Sequence, residues 1–147
     1  MLTDEELRTK WVQLQYLNEQ IKNFQVQLSE VEKAIEELAI LKVGLQNIGE
    51  SREGEEILVP LGASVYAFGK LVRNEKVLVG IGAGVFVEKK IEDAIPLVDQ
   101  QVRNLRAQEE MLIQNISVLS QEADKLAEEI NREVADRNAG LSETAAL

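Results

Sequence analysis

Apolar residues recur along this chain with two different periods, and the switch between them divides it into three blocks. Over residues 3–48 the steps alternate between three and four: Leu7, Lys10, Leu14, Leu17, Ile21, Phe24, Leu28, Val31, Ile35, Leu38, Lys42, Leu45, ten of the twelve apolar. Over residues 91–139 the same spacing gives Ile91, Ile95, Val98, Val102, Leu105, Glu109, Leu112, Ile116, Leu119, Ala123, Leu126, Ile130, eleven of twelve apolar. Composition alone would place roughly 11 apolar residues in 24 such positions. A 3.5-residue period held for five to six heptads predicts two long coiled-coil helices. Thr3-Asp4-Glu5-Glu6 opens the first as a capping box, in which the Thr hydroxyl and the Glu carboxylate satisfy free backbone N–H groups. Each helix would run about 70 Å at 1.5 Å per residue. Their matched length across a connector of residues 49–90 favours an antiparallel hairpin within one chain; a parallel homodimeric coil is the alternative.

The connector follows the other period. Ile57-Leu58-Val59-Pro60, Val65 to Val72, Lys76-Val77-Leu78-Val79-Gly80 and Val85-Phe86-Val87-Glu88 are short, β-branched segments separated by turn residues, and predict four strands in two linked hairpins, an up-and-down meander. Residues 65–72 are apolar on both faces, with Val65, Ala67 and Leu71 on one and Tyr66, Phe68 and Val72 on the other. A four-stranded sheet cannot cover both faces itself and leaves two unpaired edges. The strands are therefore expected to assemble with further copies or related chains, through Ile57, Leu58, Val59, Val65, Tyr66, Phe68, Val77, Leu78, Val79, Val85, Phe86 and Val87.

Polar interruptions of the helical pattern carry less information. Lys10 and Lys42 can lay aliphatic stems over the seam beside Trp11 and Leu41. Glu109 is a mid-coil acid of the kind that can set register. Glu6/Lys10, Glu128/Arg132 and Glu133/Arg137 have i,i+4 spacing and read as solvated faces. Pro96 lies a turn inside the second helix and predicts a kink or a delayed start. Asn138-Ala139-Gly140 reads as a helix stop before a flexible tail, 140–147.

Composition narrows the chemistry. The 147 residues include no Cys and no His, so disulfides, thiolate catalysis, Cys-ligated zinc and imidazole acid/base chemistry are absent from the repertoire. Sixteen Lys and Arg against 26 Asp and Glu give a net charge of −10, and no basic block exists to neutralise phosphates, so nucleic acid is not an expected partner. No 18-residue apolar run and no signal-peptide pattern occurs; a soluble, cytoplasmic chain with no membrane partner is the expectation. Gly80-Ile81-Gly82-Ala83-Gly84 fails the dinucleotide fingerprint, because a Gly comes one position early and strand-like Val85-Phe86-Val87 follows. Gly62 to Lys70 fails as a phosphate loop in both spacing and the following residue, Leu71. Paired carboxylates such as Glu36-Glu37 lack a visible pocket or base. No catalytic residue, metal ligand or cofactor is assigned, and an enzyme is the disfavoured class.

Interaction surfaces remain. A hairpin would bring Leu2, Leu7, Trp11 and Val12 together with Leu126, Ile130, Val134 and Leu141 at the end remote from the strands, where no third helix covers outward-facing groups.

The run Ile57-Leu58-Val59-Pro60-Leu61-Gly62, then Val65-Tyr66, Gly69-Lys70-Leu71, Val77 through Lys89 and Glu92-Asp93-Ala94 closely resembles the prefoldin alpha class of archaeal type, over nearly the whole chain. The two-hairpin connector carries the class, since beta-class subunits have a shorter single hairpin. Pro96 and Glu109 map onto no family role. The resemblance implies an α+β fold: one prefoldin-like domain, 1–147, in which a long antiparallel two-helix coiled coil carries a central four-stranded (two-hairpin) β connector that joins an oligomeric β-barrel platform. It implies an α2β4 hexamer with beta-class subunits. It also implies an ATP-independent co-chaperone that holds non-native proteins at its tips, with Leu2, Leu7, Trp11, Val12, Leu126, Ile130 and Val134 as contacts, and transfers them to a group II chaperonin. A self-assembling scaffold or filament is the alternative.

Overall fold

A computed structural model describes residues 1–146, with side chains described to residue 143. The elements are α1 (Asp4–Glu50), β1 (Glu56–Gly62), β2 (Val65–Lys70), β3 (Lys76–Gly82), β4 (Val85–Lys90) and α2 (Ile91–Ala146). They divide into a terminal unit, Met1–Glu32 with Ala107–Leu147, and a central unit, Lys33–Arg106. No helix is long and apolar enough to cross a membrane among the described residues.

The 3.5-residue register survives intact: all twenty-four positions of the two series are buried or half-buried. Most are only half-buried because a two-helix seam has no third layer above it. In the terminal unit the ion pairs Asp4/Arg137 and Lys10/Glu129 step in opposite directions along the two chain segments, so the helices there are antiparallel. The capping box forms as expected: the Glu6 backbone N–H donates to Thr3 Oγ1 at 3.1 Å and the Thr3 N–H donates to Glu6 Oε2 at 2.9 Å.

In the central unit Leu45, Ile91, Ala94 and Val98 form a small buried cluster, with Leu38, Ile48, Val77, Ile95 and Val102 packed on it. Lys42 sits at its seam position and reaches Asp99 at 2.8 Å. Gly44 lies mid-helix on α1, where an added Cβ would meet nothing within 4 Å. Its backbone is not in the left-handed region, so only the entropy of an unconstrained glycine separates it from alanine. Gly44→Ala is expected to stabilise the chain by about 1 kcal/mol and raise the thermal midpoint by a few degrees, read by circular dichroism; a lower midpoint would mean the position is already constrained.

The strands form two hairpins in two separate two-stranded sheets, β1-β2 and β3-β4, rather than one continuous meander. They are near-copies at an offset of twenty residues: Val59 pairs with Ala67 as Val79 pairs with Val87, and Gly62 with Val65 as Gly82 with Val85. Both turns place two central residues at positive φ, Ala63 and Ser64 in the first, Ala83 and Gly84 in the second, the conformation that matches strand twist in a two-residue connection. Each copy is also closed alike, with the Leu71 N–H donating to the Glu55 carbonyl at 2.9 Å and the Ile91 N–H to the Glu75 carbonyl at 2.8 Å. The second strand therefore ends at Lys70, two residues before the expected Val72, because Leu71 turns inward and is buried.

Two boundary expectations change. The stop at Asn138-Ala139-Gly140 does not occur, since α2 continues to Ala146. Gly140 is not among the residues with positive φ, and without a left-handed cap its cost of about 1 kcal/mol does not end a helix flanked by Ala, Leu and Glu. The tail expected over 140–147 is thus helical through Ala146, and Leu147 lies outside the described residues. The delayed start expected for Pro96 is not used either: α2 begins at Ile91, directly after β4, and holds Pro96 inside it.

Candidate functional site: an open helix end and uncovered strands

At the end carrying the chain termini, the seam stops being apolar. Continuing the three/four spacing beyond Ile130 leads to Glu133 and Arg137 rather than Val134. Glu133, expected on a solvated face, is 8% exposed. It accepts from Arg137 Nε at 3.1 Å, while Arg137 Nη1 donates to Asp4 Oδ1 at 2.6 Å and Nη2 to the Leu2 backbone carbonyl at 2.7 Å. Hydrogen bonds to Asp4 and then Glu133 hold the guanidinium above its ordinary pKa against the opposing effect of burial. One side chain thus ties the first turn of α1 to the last turns of the seam with charge-assisted bonds.

Lys10 reaches across to Glu129 at 2.5 Å instead of pairing with Glu6, whose carboxylate is engaged by the capping box. The hydrogen bond from Lys10, and after it the charge of Lys10, holds the Glu129 carboxyl below the usual range. Glu128/Arg132 forms at 3.4 Å on an exposed face, as the spacing implied.

These polar ties leave apolar side chains uncovered beside them. Val12 is 60% exposed, Trp11 is exposed, and Val134 is exposed over little more than a third of its surface. Leu2, Leu7 and Leu126 are half-buried. Ile130 is different: at 1% exposure it is the most deeply buried large side chain of the chain's described residues, and it belongs to the seam core rather than to a contact surface. Its place follows from the register, since Ile130 is a seam position that faces the partner helix. Leu141 is exposed. A groove runs between the helices, lined by Val12, Gln13, Tyr16, Leu17, Glu122, Lys125, Leu126 and Glu129. Tyr16 was missed in the sequence because it is off the seam series; at 61% exposure it is a large apolar ring next to Val12 on the same face, one turn on. The signal was available as the i,i+4 pair Val12/Tyr16 flanking the seam.

The hairpins present a second uncovered surface. Leu58 faces Phe68 across β1-β2 and Pro60 faces Tyr66, and these side chains stand in the open, Phe68 at 79% exposure. Leu78, Val85 and Phe86 are likewise exposed on β3-β4, with the Phe86 ring lying over Gly80, where a Cβ would come within 3.2 Å. Val59 and Val65 are exposed too, whereas Ile57, Val77, Val79 and Val87 are half-buried. Two-stranded sheets are marginal in water, and each hairpin leaves a contiguous apolar face uncovered in the chain by itself.

Two long helices flanking a pair of hairpins, with apolar side chains left uncovered on both, define the class by its fold. The family model for prefoldin subunits matches residues 17–136. The chain belongs to the prefoldin family, a chaperone family whose subunits assemble with one another, and it is of the alpha class, archaeal type. It is 28% identical over 134 residues to prefoldin subunit alpha of Methanococcus aeolicus, covering 91% of this chain and 88% of that one. It is 32% identical over 89 residues to prefoldin subunit alpha of Thermofilum pendens, covering 60% of this chain and 64% of that one. Its fold is similar to a chain of filamentous PFD from Methanocaldococcus jannaschii, with a TM-score of 0.67, 23% identity, and coverage of 78% of this chain and 95% of the other.

Proposed function

We propose that this chain is the alpha subunit of a cytoplasmic, ATP-independent chaperone, which joins beta-class subunits in an α2β4 hexamer, captures non-native proteins at its open helix end and passes them to a group II chaperonin. The observation that carries this reading is the exposed Val12/Tyr16 face and its groove, apolar surface on a helix pair whose seam does not need it. Several such ends acting together would hold a client by multivalency, since each weak contact raises the effective concentration of the next. The bare hairpins supply the means of bringing the ends together, through Leu58, Tyr66 and Phe68 and their counterparts Leu78 and Phe86. No step in this scheme needs a cofactor, and the reading is one of binding rather than catalysis.

Light scattering of the chain alone and mixed with an archaeal beta-class subunit, followed by an aggregation assay on a chemically unfolded client, tests the proposal. A closed mixed complex that suppresses aggregation without ATP is the expected result. An open-ended polymer of the chain alone, inert toward the client, would replace it with the scaffold reading.

A further inference from the structure

The charges of the terminal unit are unevenly spent. Residues 1–20 and 118–143 hold eleven Asp and Glu against five Lys and Arg. Three of the five cations are occupied: Lys10 by Glu129, Arg132 by Glu128, and Arg137 by Asp4 and Glu133. Within the groove the remaining charges nearly cancel, because Lys125 stands near Glu122 along its wall and Lys10 neutralises Glu129. Its centre is therefore apolar and close to neutral, made by Val12, Tyr16, Leu17 and Leu126. The surplus is a fringe of carboxylates without ion pairs: Glu5 and Glu19 lie one heptad to either side of Val12, and Asp136 one heptad beyond Glu129, so all three share the groove's face and meet water where Arg8 alone is left to offset them.

Resting on the function proposed above, we infer that this end selects its clients: it takes non-native segments whose apolar core is flanked by lysine or arginine. The apolar core of such a segment covers the Val12/Tyr16 face, and its basic flanks enter the field of the acidic fringe, which reaches about 8 Å at physiological salt. A segment with acidic flanks meets the same apolar surface but is repelled at both ends. The fringe does not bind by itself. It sorts what the groove holds, chiefly by steering encounter and by rejecting like-charged chains.

The test uses the full-length chain and three fluorescein-labelled peptides that share one apolar core and differ in flanks: lysine, serine or glutamate. Fluorescence anisotropy is read at about 50 mM and about 500 mM NaCl, conditions in which exposed charges are respectively felt and screened. The lysine-flanked peptide is expected to bind about tenfold more tightly than the glutamate-flanked one at low salt, the amount that two or three exposed charge contacts supply, and the ratio should fall toward one at high salt. The triple variant Glu5→Gln, Glu19→Gln, Asp136→Asn should lower that ratio at low salt. Equal affinity for all three peptides at low salt overturns the selectivity and leaves the capture function standing. Failure of all three to bind overturns both.

Discussion

Replacing Trp11, Val12 and Tyr16 together by serine is expected to weaken client binding on the order of 100-fold while helix content and assembly stay as they were. Val12 and Tyr16 are largely exposed and Trp11 about half exposed in the chain by itself, so the fold draws little stability from them. Each can contribute about 1 kcal/mol or more when a client covers it, and about 3 kcal/mol removed in sum corresponds to roughly that change in Kd. Serine has a helix propensity close to those of Trp, Val and Tyr, so α1 should persist. The contrast is Ile130→Ala, which removes a side chain that is 1% exposed; it should cost about 2–4 kcal/mol of stability and act on clients only through the loss of folded protein. Circular dichroism and titration of an unfolded client separate the two variants. If the triple-serine protein held clients as tightly as the parent, the open helix end would not be the capture surface.

Placing aspartate at Leu58 and Leu78 should have the second large effect, and on a different property. Both positions stand on the exposed face of their hairpins, so the isolated chain accommodates a carboxylate there in water and keeps its helices. In a complex that covers the hairpins the same carboxylate would be buried without a partner, at a cost of several kcal/mol for each site. Light scattering of the variant mixed with a beta-class subunit should therefore show uncomplexed chains, where the parent forms a complex. An unchanged mass would mean that assembly proceeds through some other surface.

The periodic features were legible because they are local. A seam at alternate steps of three and four needs only the helical repeat, and every one of its twenty-four positions is withdrawn from solvent to some degree. The Thr3/Glu6 capping box and the strand segments depend on neighbours a few residues away and were legible for the same reason. Lys10 and Lys42 occupy the seam positions that the spacing assigns them, but spacing does not show what they do: each ends on a carboxylate of the other helix, Glu129 and Asp99, more than fifty residues away in sequence. Spacing within one helix cannot show which residue the other helix brings opposite.

The same limit governs the site. Composition and pattern determined the helix-strand-helix order, the absence of Cys and His chemistry and the presence of strands apolar on both faces, while the particular residues of the strand segments carried the resemblance to the family. Only the tertiary structure decided which apolar residues remain uncovered. It assigned Ile130 to the core and Tyr16 to the surface, put Glu133 and Arg137 in the last turns of the seam, and ran α2 through Gly140. It also resolved the strands into two separate hairpins, because pairing is settled by long-range contacts and not by the alternation that marks a strand. Burial is a property of how two surfaces meet; a sequence states what each surface carries, and the packing of one helix against the other determines what is left facing water.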